Sequence, residues 1–474
     1  MFAKILSDKT IIVLIVSLAL FMDALDTTII NTAIPAMSHS LGVNPVDLKI
    51  ALISYLLSLA IFIPISGWVA DKYGVKSAFI IALLIFTVSS LWCGYAQTLT
   101  ELVVARACQG LGGALMLPIG RLILLRTFQR HEFVDAMNHV IIVVSLGLML
   151  GPLAGGFITD NLSWHWIFWV NIPVGILAVC TASYWIKDTH PKRPRPLDIV
   201  GFILFGGGLA ALTFSLSDLS ETTANQEMAL FIMCIAVTML ICYFFYSRNK
   251  RHPIINIKLF SIRTFQISIL GNLISRLGFG GVPFLLPLLL QIGLGYSAQL
   301  SGALLVPIAF GILMIKYVSL RILRFVGYKK LLMINTIVAG FSVWAFRIIN
   351  VGTPMYVIAC LTFCFGLFIS LQFSGMNSLA YADIPHEDLS SATSIVSTVQ
   401  QISQSFGVAS GALLLRYYSS GTSGNITLTP DVFHHTFFAL GIFTFFTAFI
   451  FIRLKPSDGH QMLSAPAQEK VAIH

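Results

Sequence analysis

Apolar residues form fourteen long runs along the chain, separated by short polar or charged stretches. A helix needs about 20 mainly apolar residues to cross the hydrocarbon core of a bilayer. The pattern therefore predicts fourteen transmembrane helices in an all-α integral membrane fold, with both ends of the chain on one side. The runs lie at 11–35, 48–70, 77–97, 101–125, 135–159, 164–186, 197–217, 227–247, 266–291, 298–319, 328–349, 354–381, 396–418 and 432–453.

The composition points in the same direction. Of 474 residues, 57% are hydrophobic and 10% are charged, and the mean hydropathy is +0.86. Soluble domains carry about 25% charged residues, so the lipid bilayer is the expected surrounding of this chain. No stretch is suited to a soluble catalytic domain, which argues against an enzyme. The seven cysteines lie in apolar runs without a C-x-x-C pair, so no disulfide framework, metal site or cofactor is expected.

Basic residues set the expected orientation. With a cytoplasmic N-terminus, 24 of the 29 lysines and arginines fall in the tails, in cytoplasmic loops or at adjoining helix ends. The loops Lys187–Arg195, Arg248–Arg263 and Lys316–Lys330 carry many of them, whereas the opposite loop Asp218–Glu227 is acidic. This positive-inside pattern predicts that both termini are cytoplasmic. It also explains the net charge of +9 without a nucleic-acid partner.

A charged turn between the second and third runs carries the pattern G-x-x-A-D-x-x-G-x-K. Gly67 is expected to allow close helix approach, Gly74 to take positive φ, and Asp71 to act as an acceptor at the membrane face, with Lys76 on the cytoplasmic side. The pattern resembles the loop between helices 2 and 3 of major facilitator superfamily transporters. That resemblance implies a gating role for these four residues, with Asp71 contacting the helix that starts near Ser394.

A weak internal repeat with an offset of 253 residues supports two related halves. Leu41-Gly42 corresponds to Leu294-Gly295, and the later Gly74 corresponds to Gly327. Two six-helix bundles with two extra helices between them would follow, as in the major facilitator fold. The predicted units are a first bundle at 1–190, the extra helices and linkers at 191–262, a second bundle at 263–455, and a disordered cytoplasmic tail at 456–474.

The first run contains two acids, which are rare inside membranes. Asp23, Thr27 and Asn31 recur every four residues on one helix face, and Asp26 adjoins that stripe. A carboxylate near mid-membrane costs about 2.5–3.5 kcal/mol even on insertion scales. Burial and mutual repulsion favour protonation of at least one acid, which suits a proton carrier. A satisfied polar knot, in which Asp26 only accepts hydrogen bonds, is the alternative.

Two motifs extend the resemblance to a particular family. The first run resembles the L-D-x-T-x-x-N-x-A-x-P motif of the fourteen-helix drug/proton antiporters of the EmrB/QacA type. The fourth run resembles their helix-4 motif, in which a buried arginine precedes Q-G. The family links this arginine to proton transfer, which implies that role for Arg106, with Gln109 one turn further on. A purely structural arginine–carboxylate clamp is the alternative.

The fifth and sixth runs carry further family features. Gly147, Gly151 and Gly155 recur every four residues, and Pro152 interrupts the helix hydrogen bonding. This ridge resembles the antiporter motif of exporters, so the four residues are expected to serve conformational gating. The stretch 164–175 resembles W-R-W-x-F-x-x-N-x-P-x-G, although His165 replaces the usual arginine.

The ninth run, with Arg276 and Gln291, resembles the MdtD/HsrA subgroup of these antiporters. A buried arginine facing a cavity would favour an anionic or zwitterionic substrate, whereas snorkelling or pairing with an acid would be structural. The predicted substrate cavity comprises Thr27, Asn31, Gln109, Arg276 and Gln291.

Together, resemblance and local chemistry imply a proton-coupled exporter of small amphipathic compounds that works by alternating access. Asp26, Asp23 and Arg106 would couple the proton, which is the coupling ion in place of any cofactor. Proton-coupled transport of an anionic metabolite or siderophore is the alternative. The expected location is the bacterial inner membrane, in contact with lipid and as a monomer by family resemblance, and the need for a periplasmic export partner is left open.

Overall fold

The computed structural model describes residues 8–187, 196–218, 226–250, 253–385, 388–419 and 428–459. These ranges contain eighteen α-helices and no strand. The first half comprises α1 (Asp8–Ile29), α2 (Ile34–Leu41), α3 (Lys49–Phe62), α4 (Ser66–Tyr73), α5 (Val75–Tyr95), α6 (Leu99–Thr127), α7 (Arg130–Asn161), α8 (Trp166–Trp169) and α9 (Asn171–Trp185). The rest comprises α10 (Ile199–Asp218), α11 (Gln226–Asn249), α12 (Arg263–Phe279), α13 (Val282–Leu288), α14 (Ala298–Val326), α15 (Tyr328–Ala345), α16 (Met355–Ala380), α17 (Leu389–Ser419) and α18 (Pro430–Ile452).

The chain is an all-helical, multi-pass membrane protein. Within the described ranges, twelve helical segments are long and apolar enough to cross a bilayer. Two of the fourteen predicted runs, those of α10 and α17, do not meet that measure. The apolar part of α10 is shorter, at Ile199–Ser215, and α17 is 31 residues long but rich in serine and glutamine. The count of fourteen spans is therefore not confirmed.

Prolines and glycines interrupt two of the predicted helices. The second run divides into α3 and α4 around a 3₁₀ turn at Ile63–Ile65, which contains Pro64. The ninth run divides at Gly280 and Gly281, and Pro283 is the second residue of the following short helix. Proline has no backbone N–H and clashes with the preceding turn, so a continuous helix is disfavoured at both places.

The backbone confirms the correspondences of the internal repeat. Gly42 and Gly295 have φ values of 65° and 71°, and Gly74 and Gly327 have values of 85° and 78°. Positive φ is favourable for glycine and strained for residues with a Cβ. The same turn is thus built at equivalent places in the two halves.

The two halves contact each other through α7 with α14 and through α3 with α17. Asp160 near the end of α7 accepts hydrogen bonds from the backbone N–H groups of Ala298 (3.2 Å) and Gln299 (2.6 Å) at the start of α14. A carboxylate is favourable there because the first N–H groups of a helix lack intrahelical partners. Gly302 then packs directly against the carbonyl group of Pro152.

The apolar cores show where the halves are joined. One core contains Ile30 and Ile34 of the first half together with Leu286 and Leu290 of the second. At the opposite end each half has its own core, as around Phe79 in the first half and around Leu332 in the second. The halves therefore share a core near the turns at Gly42 and Gly295 and are separately packed at the other end.

The helices α10 and α11 lie beside both halves. Phe202 of α10 packs against Phe62 of α3, with ring centroids 5.6 Å apart. Tyr243 of α11 belongs to an apolar core with Phe265 and Ile395 of the second half, and its hydroxyl bonds with Ile255. Most of the predicted tail, 460–474, and the linker segments 188–195, 219–225 and 251–252 lie outside the described residues.

We expect Gly302→Val to loosen the contact between α7 and α14, because a Cβ at this position would meet the Pro152 carbonyl group. Overpacking of this kind costs about 1–3 kcal/mol, so the thermal unfolding midpoint of the purified protein should fall. Ala303→Val is the matched control, since Ala303 is the next residue of α14 and is exposed. Equal midpoints for the two variants would contradict the assigned contact.

Candidate functional site

Asp26 lies at the centre of a buried polar cluster made by four helices. Its side chain is fully buried in α1. Its Oδ2 accepts a hydrogen bond from Arg106 Nη1 of α6 at 2.5 Å, and its Oδ1 accepts bonds from Gln109 Nε2 and Asn171 Nδ2, both at 2.9 Å. Three donors therefore surround one carboxylate. This is the arrangement expected under the alternative interpretation, in which Asp26 only accepts hydrogen bonds.

Arg106 supplies the positive charge of the cluster. The residue is only 1% exposed, and its guanidinium carbon lies 4.2 Å from the centre of the Tyr55 ring. A lone buried charge is very unfavourable, and a paired one is tolerated when its remaining polar groups are satisfied. Its Nη1 also donates to Gln109 Oε1 at 2.6 Å, whereas its buried Nε has no hydrogen-bond partner among the described residues.

Gln109 joins the charged pair to α5. Its amide nitrogen donates to Asp26 and also to Ser90 Oγ at 2.8 Å, while its amide oxygen accepts from Arg106. Because it is fully buried, Gln109 lies inside the cluster rather than on the wall of a cavity. The structure thus places this predicted substrate residue beside the predicted proton-coupling residues.

Three residues in or beside the cluster carry no assigned role in the sequence analysis, namely Ser90 of α5, Asn171 and Tyr55. Asn171 at the start of α9 belongs to the stretch 164–175, where a resemblance is visible but the contact with Asp26, 145 residues away, is not. Tyr55 of α3 donates its hydroxyl to Asp23 Oδ1. Nothing in the sequence distinguishes Tyr55 from the other tyrosines of the chain.

Asp23 forms a second acidic position one turn before Asp26. Besides Tyr55, it lies against Gly113 of α6. The Thr27 hydroxyl donates to the Asp23 backbone oxygen at 2.8 Å, and Asn31 is buried in the 3₁₀ turn Ile30–Thr32 that ends the span. Within the stripe of Asp23, Thr27 and Asn31, the Thr27 hydroxyl therefore bonds to the backbone of its own helix.

The glycine ridge of α7 lies against α1. A Cβ on Gly147 would be 2.8 Å from the Phe21 oxygen, and one on Gly151 would be 3.1 Å from the Ile29 nitrogen. Gly155 packs equally closely against Ile29 and Thr32. Glycine is needed because any side chain would separate the two helices. The ridge thus connects the helix of Asp26 to the contact of Pro152 with Gly302.

The loop motif lies at the end of the molecule where the halves have separate cores. The close approach expected at Gly67 is wrong for this structure, because a Cβ there would meet no atom within 4 Å. Gly67 instead lines a cavity of about 500 Å³ together with Ser394 of α17. Asp71 is half-buried at the end of α4, and Gly74 and Lys76 lead into α5.

The remaining predicted cavity residues lie apart from the Asp26 cluster. Arg276 of α12 donates to Gln404 Oε1 at 3.1 Å, and its guanidinium carbon lies 4.0 Å from the centre of the Phe373 ring. Gln291 donates to the backbone oxygen of Thr32 at 2.9 Å, which joins the two halves.

His165, which stands where the motif has arginine, lies in the short connection before α8. Partial burial lowers its pKa from the ordinary value for histidine, which favours the neutral ring. It stacks on Trp164, with ring centroids 3.8 Å apart, and bonds through Nδ1 with Ser163 Oγ. Within the described ranges, no group of three or more metal-ligating side chains is placed to hold an ion.

Comparisons with known proteins agree with this architecture. The family model described as Major Facilitator Superfamily matches residues 16–408. The chain is 36% identical over 460 residues to a protein of Escherichia fergusonii named multidrug resistance protein MdtD, covering 97% of each chain. The protein of the same name from Escherichia coli O139:H28 is also 36% identical, over 459 residues and 97% of each chain.

Two solved structures show a similar fold at low sequence identity. A D-xylose–proton symporter matches with a TM-score of 0.67 and 14% identity, over 96% of this chain and 99% of that chain. The nucleoside transporter NupG matches with a TM-score of 0.61 and 14% identity, over 95% and 100%. At this identity the likeness concerns the fold alone.

The Asp26–Arg106 pair should show strong energetic coupling. Asp26→Asn and Arg106→Gln each leave one buried charge unpaired, which lowers the free energy of unfolding by about 3–5 kcal/mol. The double variant leaves no unpaired charge, so its loss should be smaller than the sum of the two. Unfolding of the four proteins in detergent measures the coupling, and strictly additive losses would contradict it. Lys9→Gln, in the partly exposed pair Lys9–Glu132, is the control and should cost less than about 1 kcal/mol.

Proposed function

This chain belongs to the Major Facilitator Superfamily of transporters, and on that premise we propose that it is a proton-coupled exporter of small amphipathic compounds. It works by alternating access, in which the two halves open in turn to either side of the membrane. The observation that carries the proposal is the buried pair of Asp26 and Arg106 within the first half.

The pair supplies a chemical reason for proton coupling. Arg106 is always charged, so its attraction for Asp26 depends on whether that carboxyl carries a charge. A proton that binds Asp26 removes the negative charge and weakens the attraction between α1 and α6. Release of that proton restores the pair. Asp23, one turn away and bonded to Tyr55, is the second acid along the same path.

The glycine ridge gives this event a route to the contact between the halves. Protonation of Asp26 acts on α1, which packs closely on Gly147, Gly151 and Gly155 of α7. In turn, α7 contacts α14 through Pro152 and Gly302. A shift of α1 is therefore transmitted to α7 and from there to the boundary between the halves.

The distribution of cores supports alternating access. The two halves share a core at one end and have separate cores at the other. This is the arrangement expected of a transporter that is closed on one side of the membrane. A transmembrane potential supplies about 2.3 kcal/mol per charge per 100 mV, which would contribute to an electrogenic exchange. Asp71 and its loop lie at the separated end, where closure would bring α4 and α17 together.

The proposed topology has fourteen spans, with α10 and α17 added to the twelve apolar helices. Both termini lie in the cytoplasm, and the protein resides in a bacterial inner membrane. The basic loops favour this orientation. The names of the relatives, which refer to multidrug resistance, support the proposed substrate class. The monomer is proposed as the working unit.

We expect substrate-dependent proton flux in proteoliposomes with an imposed pH gradient, tested with a mixed panel of dyes, drugs and organic anions. Asp26→Asn should abolish this flux, because an amide cannot bind and release the proton. Asp431→Asn is the matched control, since Asp431 is an exposed acid on α18 with 88% of its side chain accessible.

If flux survives Asp26→Asn but is lost in Asp23→Asn, then Asp23 rather than Asp26 binds the transported proton. Flux that survives both changes would refute coupling by the first helix. Absence of flux with every compound in the wild-type protein would refute the proposed substrate class.

Arg276 favours a second candidate, proton-coupled transport of an anionic metabolite or siderophore. Its buried Nε has no hydrogen-bond partner, and no ion pair to Arg276 occurs within the described part of the chain. Gln404 and Phe373 orient the guanidinium without neutralising it. A positive charge without an acid is suited to an anionic substrate.

Arg276→Gln separates the two candidates. If the substrate is anionic, the variant should lose transport of organic anions by about tenfold or more, the range of a charge-assisted hydrogen bond. If the substrate is cationic, transport of cationic dyes should be retained. Arg347→Gln, which removes an exposed arginine of the same half, is the control. Equal effects of the two variants on anions would reject the second candidate.

A further inference from the structure

A cavity separate from the Asp26 cluster lies between the two halves. Its volume is about 500 Å³, and it is formed by the α3–α4 junction, the later part of α6 and the first turns of α17. It lies at the end where the halves have separate cores, and both halves contribute to its wall.

Most of the cavity wall is apolar. Ile63, Leu117 and Leu122 provide aliphatic surface, and Leu125 also lines the cavity while being 55% exposed. The cavity therefore reaches the surface of the protein. A chain or ring of similar polarity would be accommodated by this wall.

The polar groups of the cavity include a single charge. Arg121 is the only ionisable residue among the described lining residues. Its buried Nε has no hydrogen-bond partner there, and neither does the buried Oγ of Ser394 across the cavity. The neighbouring Thr393 hydroxyl, in contrast, donates a hydrogen bond to the backbone oxygen of Leu389 at 2.8 Å. Unpaired buried donors are unfavourable, so a ligand that accepts hydrogen bonds would stabilise both.

We infer that this cavity binds an amphipathic anion, with its acidic head on Arg121 and Ser394 and its apolar part against Ile63, Leu117 and Leu122. The inference does not depend on the proposed export activity. A carboxylate or phosphate head is the complementary group because guanidinium N–H groups match its oxygens in charge and geometry. Such an anion has two sources, a membrane phospholipid or a soluble amphipathic acid.

Two binding measurements on the purified full-length protein distinguish the sources. Retention of phosphatidylglycerol against the uncharged diacylglycerol is measured by native mass spectrometry, and binding of labelled dodecanoate against dodecanamide is measured in detergent. Arg121→Gln should weaken binding of at least one anion by about tenfold or more, while binding of the neutral probes stays unchanged. Arg126→Gln is the matched control, since Arg126 is exposed on the same helix and outside the cavity.

Loss confined to phosphatidylglycerol identifies a lipid site, and loss confined to dodecanoate identifies a soluble acid. Arg121→Lys keeps the charge and should retain part of the binding, which separates lost charge from lost folding. Leu117→Trp fills the apolar wall and should weaken the same anion with Arg121 intact. Anion binding in Arg121→Gln equal to that of the wild type and of Arg126→Gln would overturn the inference.

Discussion

The ion pair between Asp26 and Arg106 is the interaction on which the first half depends. The two charged residues are at most 1% exposed. Charges buried to this degree are stable only when each has an oppositely charged partner and further hydrogen bonds. Gln109, Asn171 and Ser90 provide those bonds and bring α5 and α9 to the pair between α1 and α6. The cluster thereby fixes the relative positions of four helices that apolar packing in lipid would hold only weakly.

Backbone proximity extends that constraint to the second half. The glycines of α7 place its backbone against α1, and the next face of the same helix meets α14 through Gly156 and Gly302. Only one helix therefore separates the buried charges from the contact between the halves. Packed main-chain atoms, rather than flexible side chains, therefore join the helix of Asp26 to the second half.

The sequence predicted the class of fold and the individual charged residues well, because both depend on local signals. Apolar run length located the helices, and the rarity of intramembrane charge identified Asp26 and Arg106. Their pairing across 80 residues, and the contribution of Asn171 and Tyr55, follow from helix packing that no local pattern encodes. The close helix approach expected at Gly67 is absent for a similar reason, since the same glycine spacing can face a helix or a cavity. The span count also depended on helices with little apolar excess, such as α17.

The core shared by the two halves has a thermodynamic consequence. It contains Ile30, Ile34, Leu286 and Leu290, and opening that end to a water-filled vestibule would hydrate part of this surface. Hydration of apolar groups raises the heat capacity. The balance between the two conformations would then vary with temperature along a curve rather than a straight line. Through this one junction, the protein would thus show a curved dependence of a free-energy difference on temperature, as soluble domains do when they unfold.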